Sequence, residues 1–154
     1  MRPKNTQRNS KPILEREYKI LKSYINGLET FETTKIKWLR SLEILYMGGM
    51  RVSEILDIKI KDIMDGIEKS ELTIFVKKQK IIRHIPLSEK SVKILKKLIS
   101  GEINVNSYFI HKRDSGRNNL NTIGFTKDFN QLIQIVLGKN YSTHSFRKGI
   151  ITEM

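Results

Sequence analysis

The sequence predicts a mainly α-helical domain that carries one small antiparallel β-hairpin. Three observations lead there. Apolar residues recur at helical spacing through most of the chain. A single block, residues 71 to 87, switches to β-branched and aromatic runs around a polar tip. The 154 residues contain no internal repeat and no long linker, which suits one domain with one core. Residues 12–154 are read as that domain, behind a basic flexible arm over residues 1–11.

The first helix is expected in "PILEREYKILKSYI", with Pro12 in the first turn, where its missing N–H costs nothing. Asn26-Gly27 stops it. A second helix runs from about Thr33 to Met47, with Ile36, Leu39, Leu42, Ile44 and Leu45 inward, and Gly48-Gly49 ends it as a C-cap. Ser53 reads as the N-cap of a short helix, "EILDIKI", and Asp62 to Gly66 as a turn. "ELTIFV" (71–76) and "IIRHIPL" (81–87) are strands, joined by the lysine-loaded tip "KKQK". Ser88 caps a helix over 88–99 with Val92, Leu95 and Ile99 as its apolar stripe. "SYFI" (107–110) suits a short buried strand, "HKRDSGRNNLN" a polar loop, and residues 122–137 an amphipathic helix. A last helix follows Gly138-Lys139-Asn140, capped by Ser142 or Thr143.

Charge narrows the partner. Twenty-nine Lys and Arg against sixteen Asp and Glu give a net +13 and a pI near 10.0, an excess that suits a polyanion whose condensed counterions are released on binding. The absence of cysteine excludes disulfides and thiol chemistry and argues against a structural zinc site. No stretch approaches the ~18 apolar residues of a membrane span, and the basic start "MRPKNTQRNSKP" has no apolar core behind it, unlike a secretory signal. An intracellular site is expected, in the cytoplasm or nucleoid, and a Lys-, Ile- and Asn-rich chain also suits an organelle such as the plastid.

Two short segments carry candidate chemistry. In "YMGGMRVSEIL" (46–56) a Gly-Gly corner interrupts the helices and presents Arg51, an arrangement that suggests an anion to be met. In "THSFR" (143–147) His144 and Arg147 lie three apart, so they share a face beside a helix N-terminus that favours anions. Taken singly these have ordinary readings: a surface arginine paired with Glu54, a solvated capping turn, and a solubilising Lys78 at the hairpin tip.

Together, in this order, GMRVSEIL (49–56), KKQKIIRHIPL (77–87) and HSFR (144–147) resemble the tyrosine recombinase, or phage integrase, family over roughly residues 12–154. The resemblance implies that family's catalytic-domain fold. It also implies its metal-free reaction, in which a tyrosine attacks a DNA phosphodiester to leave a 3′-phosphotyrosyl bond and a free 5′-hydroxyl. It implies Arg51 and Arg147 as forked cations on the phosphate oxygens. His144 would hydrogen-bond a non-bridging oxygen or accept the tyrosine proton. Lys78 would protonate the leaving oxygen, with Lys77 and Lys80 as competitors for that role. Glu54 would stand behind Arg51. Lys77, Lys80, Arg83 and Lys148 are further expected DNA contacts. No cofactor or metal is implied, and the partner is double-stranded DNA.

The resemblance departs from the family pattern in two respects. The helical DNA-clamping domain that usually precedes the catalytic domain is not seen in these residues. The family's nucleophilic tyrosine, and a His or Trp before it, lie well downstream of H-x-x-R, whereas Tyr141 lies upstream of His144 and Tyr18, Tyr24, Tyr46 and Tyr108 sit on or near apolar runs. The expected function is therefore a site-specific recombinase or integrase homologue that is inactive alone, with other recombinase subunits as a source of the tyrosine. The alternative is a non-enzymatic DNA-binding remnant, and a basic helical protein of unrelated function, such as RNA binding, is the least favoured. Apolar residues of 122–137, with Ile150 and Ile151, are expected to be partly uncovered, which predicts a marginally stable domain.

Overall fold

The computed structural model describes residues 10–76, 78–102, 104–111 and 120–153, with side chains as far as Gly149. Helix α1 spans Glu15–Asn26, so Pro12 stands outside it rather than in its first turn. The start is set instead by Glu17, whose Oε1 accepts the Leu14 N–H at 3.0 Å. Residues 10–13 lie beside the approach to the last helix, with Lys11 N–H on the Asn140 carbonyl and Ile13 N–H on the Ser145 carbonyl. Gly149 makes that approach feasible, since a Cβ there would collide with the Ile13 carbonyl. Residues 1–9 of the expected arm lie outside the described residues.

Helix α2 spans Glu32–Gly48 and ends at Gly49, which takes φ 58°, ψ 32° and returns its N–H to the Leu45 carbonyl. Helix α3 (Val52–Ile55) starts from Arg51, and Ser53 is its second residue, not its cap. Helix α4 spans Ile60–Lys69, where a turn over Asp62–Gly66 was expected. Asp62 instead accepts the Lys59 N–H at 2.9 Å and begins the helix. Gly66 is buried where a Cβ would press on Leu72. Both turn-type residues thus serve a helix start and a close packing contact.

Strands β1 (Glu71–Val76) and β2 (Ile81–Pro86) pair antiparallel, from Glu71↔Pro86 to Val76↔Ile81. Leu72, Ile74, Val76 and Ile85 face the core, while Thr73, Phe75, Ile82 and His84 face out. Helix α5 (Glu89–Leu98) carries the expected Ser88 cap, whose Oγ accepts the Ser91 N–H. Residues 107–110 form only a single antiparallel bridge, Lys59↔Tyr108, rather than a strand. Helix α6 spans Thr122–Leu137 as expected, and Asn121 caps it. Helix α7 spans His144–Glu153. The Ser142 hydroxyl, not that of Thr143, accepts the His144 N–H, while Ser145 Oγ accepts the Ser142 N–H. Of the expected polar loop, residues 112–119 lie outside the described residues.

Aromatic stacking holds the site's supports together. Trp38 on α2 stacks with Phe129 on α6 at 5.0 Å between centroids, and Phe129 with Phe146 on α7 at 6.2 Å. Ile36 and Leu39 of α2 are only half-buried, and α6 leaves Ile123 and Ile135 exposed opposite buried Phe125, Phe129 and Ile133. Ile150 and Ile151 have no described side chains.

On the other side of α2, buried Arg40 donates to the Leu98 carbonyl, to the Phe109 carbonyl at 2.7 Å and to Glu102 Oε2 at 2.9 Å. One guanidinium thereby ties α2 to the end of α5 and to the 107–110 segment. Replacing it by methionine leaves buried acceptors unpaired, so Arg40→Met is expected to lower unfolding stability by about 3–5 kcal/mol in a urea titration. A loss of under about 1 kcal/mol, the scale of an exposed pair, would contradict this role.

Candidate functional site

Two clefts adjoin at Arg51. The first, about 210 Å³, is lined by Arg51, His144 and Arg147 together with the polar residues Ser53, Thr122, Thr126 and Thr143. The second, about 390 Å³, is lined by Arg51, Ser53, Glu54, Asp57, Phe75, Val76 and Lys78. Arg51 and Ser53 form the wall common to both. Arg51, His144 and Arg147 therefore line one cleft and Lys78 lines the next, although they arise from the α2–α3 corner, the hairpin and α7.

Each support has a local cause. The left-handed Gly49 turns the chain sharply, so that Arg51 sits in extended backbone as the N-cap position of α3. Its side chain remains 42% exposed. On α7, Ser145 and Phe146 are buried and act as the anchor, which leaves exposed His144 and half-buried Arg147 on the cleft side. Lys78 is an exposed tip residue of the hairpin, and Lys80 closes the turn in the left-handed region at φ 54°. Of the competing lysines, Lys80 lines neither cleft, and Lys77 lies outside the described residues.

A carboxylate underlies these cations. Glu54 is only 8% exposed; its Oε1 accepts the Arg51 backbone N–H at 2.9 Å, and its Oε2 lies 3.7 Å from Arg51 NH1. Arg83 NH1 reaches the same Oε1 at 3.4 Å. Arg83, expected to contact DNA, thus directs its guanidinium at Glu54. Lys148, another expected contact, donates to the Ser10 carbonyl at 2.9 Å. The Ser53, Thr122, Thr126 and Thr143 members of the cleft were not foreseen; scattered hydroxyl residues without a shared spacing give no sequence signal.

None of the five tyrosines lines either cleft. Tyr18 is buried and donates to Glu43, and burial first, then the Glu43 carboxylate, hold its phenol well above the ordinary tyrosine pKa. Tyr46 stacks on Tyr18 at 4.1 Å, Tyr108 forms the isolated bridge, Tyr24 is exposed on α1, and Tyr141 is half-buried. Chemically, the clefts offer forked and single-headed cations to a tetrahedral oxyanion. Among the described residues no group of His, Asp or Glu is placed to hold a metal ion, and no helix is long and apolar enough to cross a membrane.

Comparison with known proteins bears on the family and the fold. The model of the Phage integrase family matches residues 11–154. No curated protein matches the sequence. Among solved structures, the crystal structure of XerA recombinase matches with a TM-score of 0.68 at 20% identity, over 93% of this chain and 50% of that one. The chain spans half the length of that solved relative, and the likeness is one of fold.

The corner depends on Gly49. Gly49→Ala forces an L-residue into the left-handed region and is expected to cost about 1–2 kcal/mol of unfolding stability, measured with urea. An unchanged midpoint would mean that the corner readily takes another path.

Proposed function

This chain belongs to the phage integrase family, the tyrosine recombinases, and on that premise we propose that it binds duplex DNA with one phosphodiester held across the two clefts, as in strand cleavage and rejoining. The observation that carries the reading is the shared lining of one cleft by Arg51, His144 and Arg147, with Lys78 in the cleft next to it. In cleavage, a tyrosine oxygen bonds to phosphorus as the bond to the 5′-oxygen breaks. Arg51 and Arg147 meet the charge that builds on the non-bridging oxygens, in a site where fixed donors need no reorganisation. His144 donates to one of those oxygens or takes the tyrosine proton. Lys78 gives its proton to the departing 5′-oxygen. Glu54 holds Arg51 in place. Reversal of the same steps rejoins the strand.

The tyrosine that attacks is, in this reading, none of the five in residues 1–154. A second recombinase subunit is one source. The position of the five also supports the alternative that the chain binds DNA without cutting it.

Three outcomes test the proposal. Binding to a labelled duplex should weaken steeply with salt, and Arg51→Ala and Arg147→Ala should each reduce the log–log salt slope by about one. With a nicked suicide duplex, the 154-residue chain should give no protein–DNA band on a denaturing gel; a band would sink the assignment of the nucleophile. A separate C-terminal segment from a recombinase, tyrosine included, should restore that band. DNA binding with no restoration would favour the binding-only alternative.

A further inference from the structure

Arg83 occupies an unusual place for a residue meant to touch a ligand. Along β2 the side chains alternate, and Arg83 is in phase with buried Ile85 and Leu87, not with exposed Ile82 and His84. Its cross-strand partner, Ile74, is buried. The guanidinium therefore leaves the inner face of the hairpin, towards α3, and ends 3.4 Å from Glu54 Oε1. That oxygen already accepts the Arg51 N–H, and Glu54 Oε2 has no hydrogen-bond partner among the described residues. A nearly buried carboxylate in this position needs cationic neighbours on both sides, because an unpaired charge away from water is costly.

We infer that Arg83 is a positioning residue: through the buried Glu54 carboxylate it latches the Lys78-bearing hairpin to the Arg51-bearing corner, so that the two clefts keep a fixed spacing. The hairpin packs on the core through Leu72, Ile74, Val76 and Ile85, whereas Lys78, Gln79 and Lys80 at its tip are exposed, so the tip is the part that a further tie steadies. The register of β2 converts the Arg83–Glu54 contact into a fixed height for the tip, since Arg83 lies only five positions beyond Lys78 on the return strand. The latch stands on geometry alone. Its consequence for DNA, that Lys78 and Arg51 address one phosphate together, rests on the function proposed above.

The absence of cysteine allows spin labels to be placed cleanly, at Gln79→Cys on the tip and Lys127→Cys on the exposed side of α6. Pulsed dipolar spectroscopy without DNA should give one narrow distance distribution. Arg83→Gln should broaden it, and Glu54→Gln, which breaks the latch from the other end, should do the same if Arg83→Gln fails to fold. An already broad distribution in the parent, or an unchanged one in both variants, overturns the latch whatever the protein does with DNA. Salt titration on a labelled random-sequence duplex then separates positioning from direct contact. Arg83→Gln should weaken binding several-fold with its salt slope unchanged, whereas Lys78→Gln should lower the slope by about one. In the Lys78→Gln background, Arg83→Gln should have little further effect. A slope lowered by about one in Arg83→Gln makes it an ordinary phosphate contact and overturns the inference, as do strictly additive effects. No binding by the parent chain counts against the proposed function, and the distance measurement still decides the latch.

Discussion

Arg51 and Arg83 share one carboxylate, Glu54, that is almost wholly withdrawn from water. Like charges at close range repel by an amount that grows as the surroundings dry; two unit charges about 4 Å apart interact by about 4 kcal/mol near a protein surface. A chain with net charge +13 that also gathers its cations into adjoining clefts has to offset that repulsion somewhere. Glu54 does so at the point where the corner and the hairpin meet. It also accepts a backbone N–H at the start of α3, so its position is fixed by the same turn that sets Arg51. The carboxylate is therefore part of the fold and part of the site's electrostatics at once.

The other side of the first cleft is held by packing. Phe146 is buried against Phe129, which stacks on Trp38, so α7 is registered against α2 through α6. His144 and Arg147 flank the Phe146 anchor. Residues 10–13 lie against the approach to α7 by two backbone hydrogen bonds, and only a glycine at 149 permits that proximity. The cleft thus joins a corner fixed by backbone conformation and charge to a helix fixed by aromatic contacts. Far from it, Arg40 ties three segments by donating to carbonyls, which keeps the scaffold behind α2 rigid.

Much of this was legible where short-range chemistry decides the structure. The hairpin, the Gly49 stop, the Ser88 cap and the bounds of α6 all follow from local residue types. Arg51, Lys78, His144 and Arg147 stand out because their motifs occur in a fixed order, and in the structure they line two adjoining clefts. The misreadings share a cause. Asp62 and Gly66 are turn residues by type, yet Asp62 begins α4 by accepting the Lys59 N–H and Gly66 packs closely on Leu72 of β1, while Ser53 loses the cap position because Glu54 reaches back to Arg51. Pro12 belongs to the segment against α7, a long-range contact that local spacing does not encode. The burial of Arg40 and Glu43 has no signal in the sequence, which does not reveal which polar residues will find partners inside. Arg83 is different: its phase with Ile85 and Leu87 in "IIRHIPL" is legible from strand alternation and puts it on the face that carries buried side chains.

At the centre of the proposed function, the guanidinium groups of Arg51 and Arg147, which line the same cleft, serve a single anion site. Side-chain NMR of the chain labelled with ¹⁵N-arginine, titrated with tungstate as a tetrahedral oxyanion, tests it directly. The Arg51 and Arg147 Nε signals should move together and saturate with one dissociation constant. Two unrelated constants, or movement of only one of the pair, would mean that the cations do not share a phosphate.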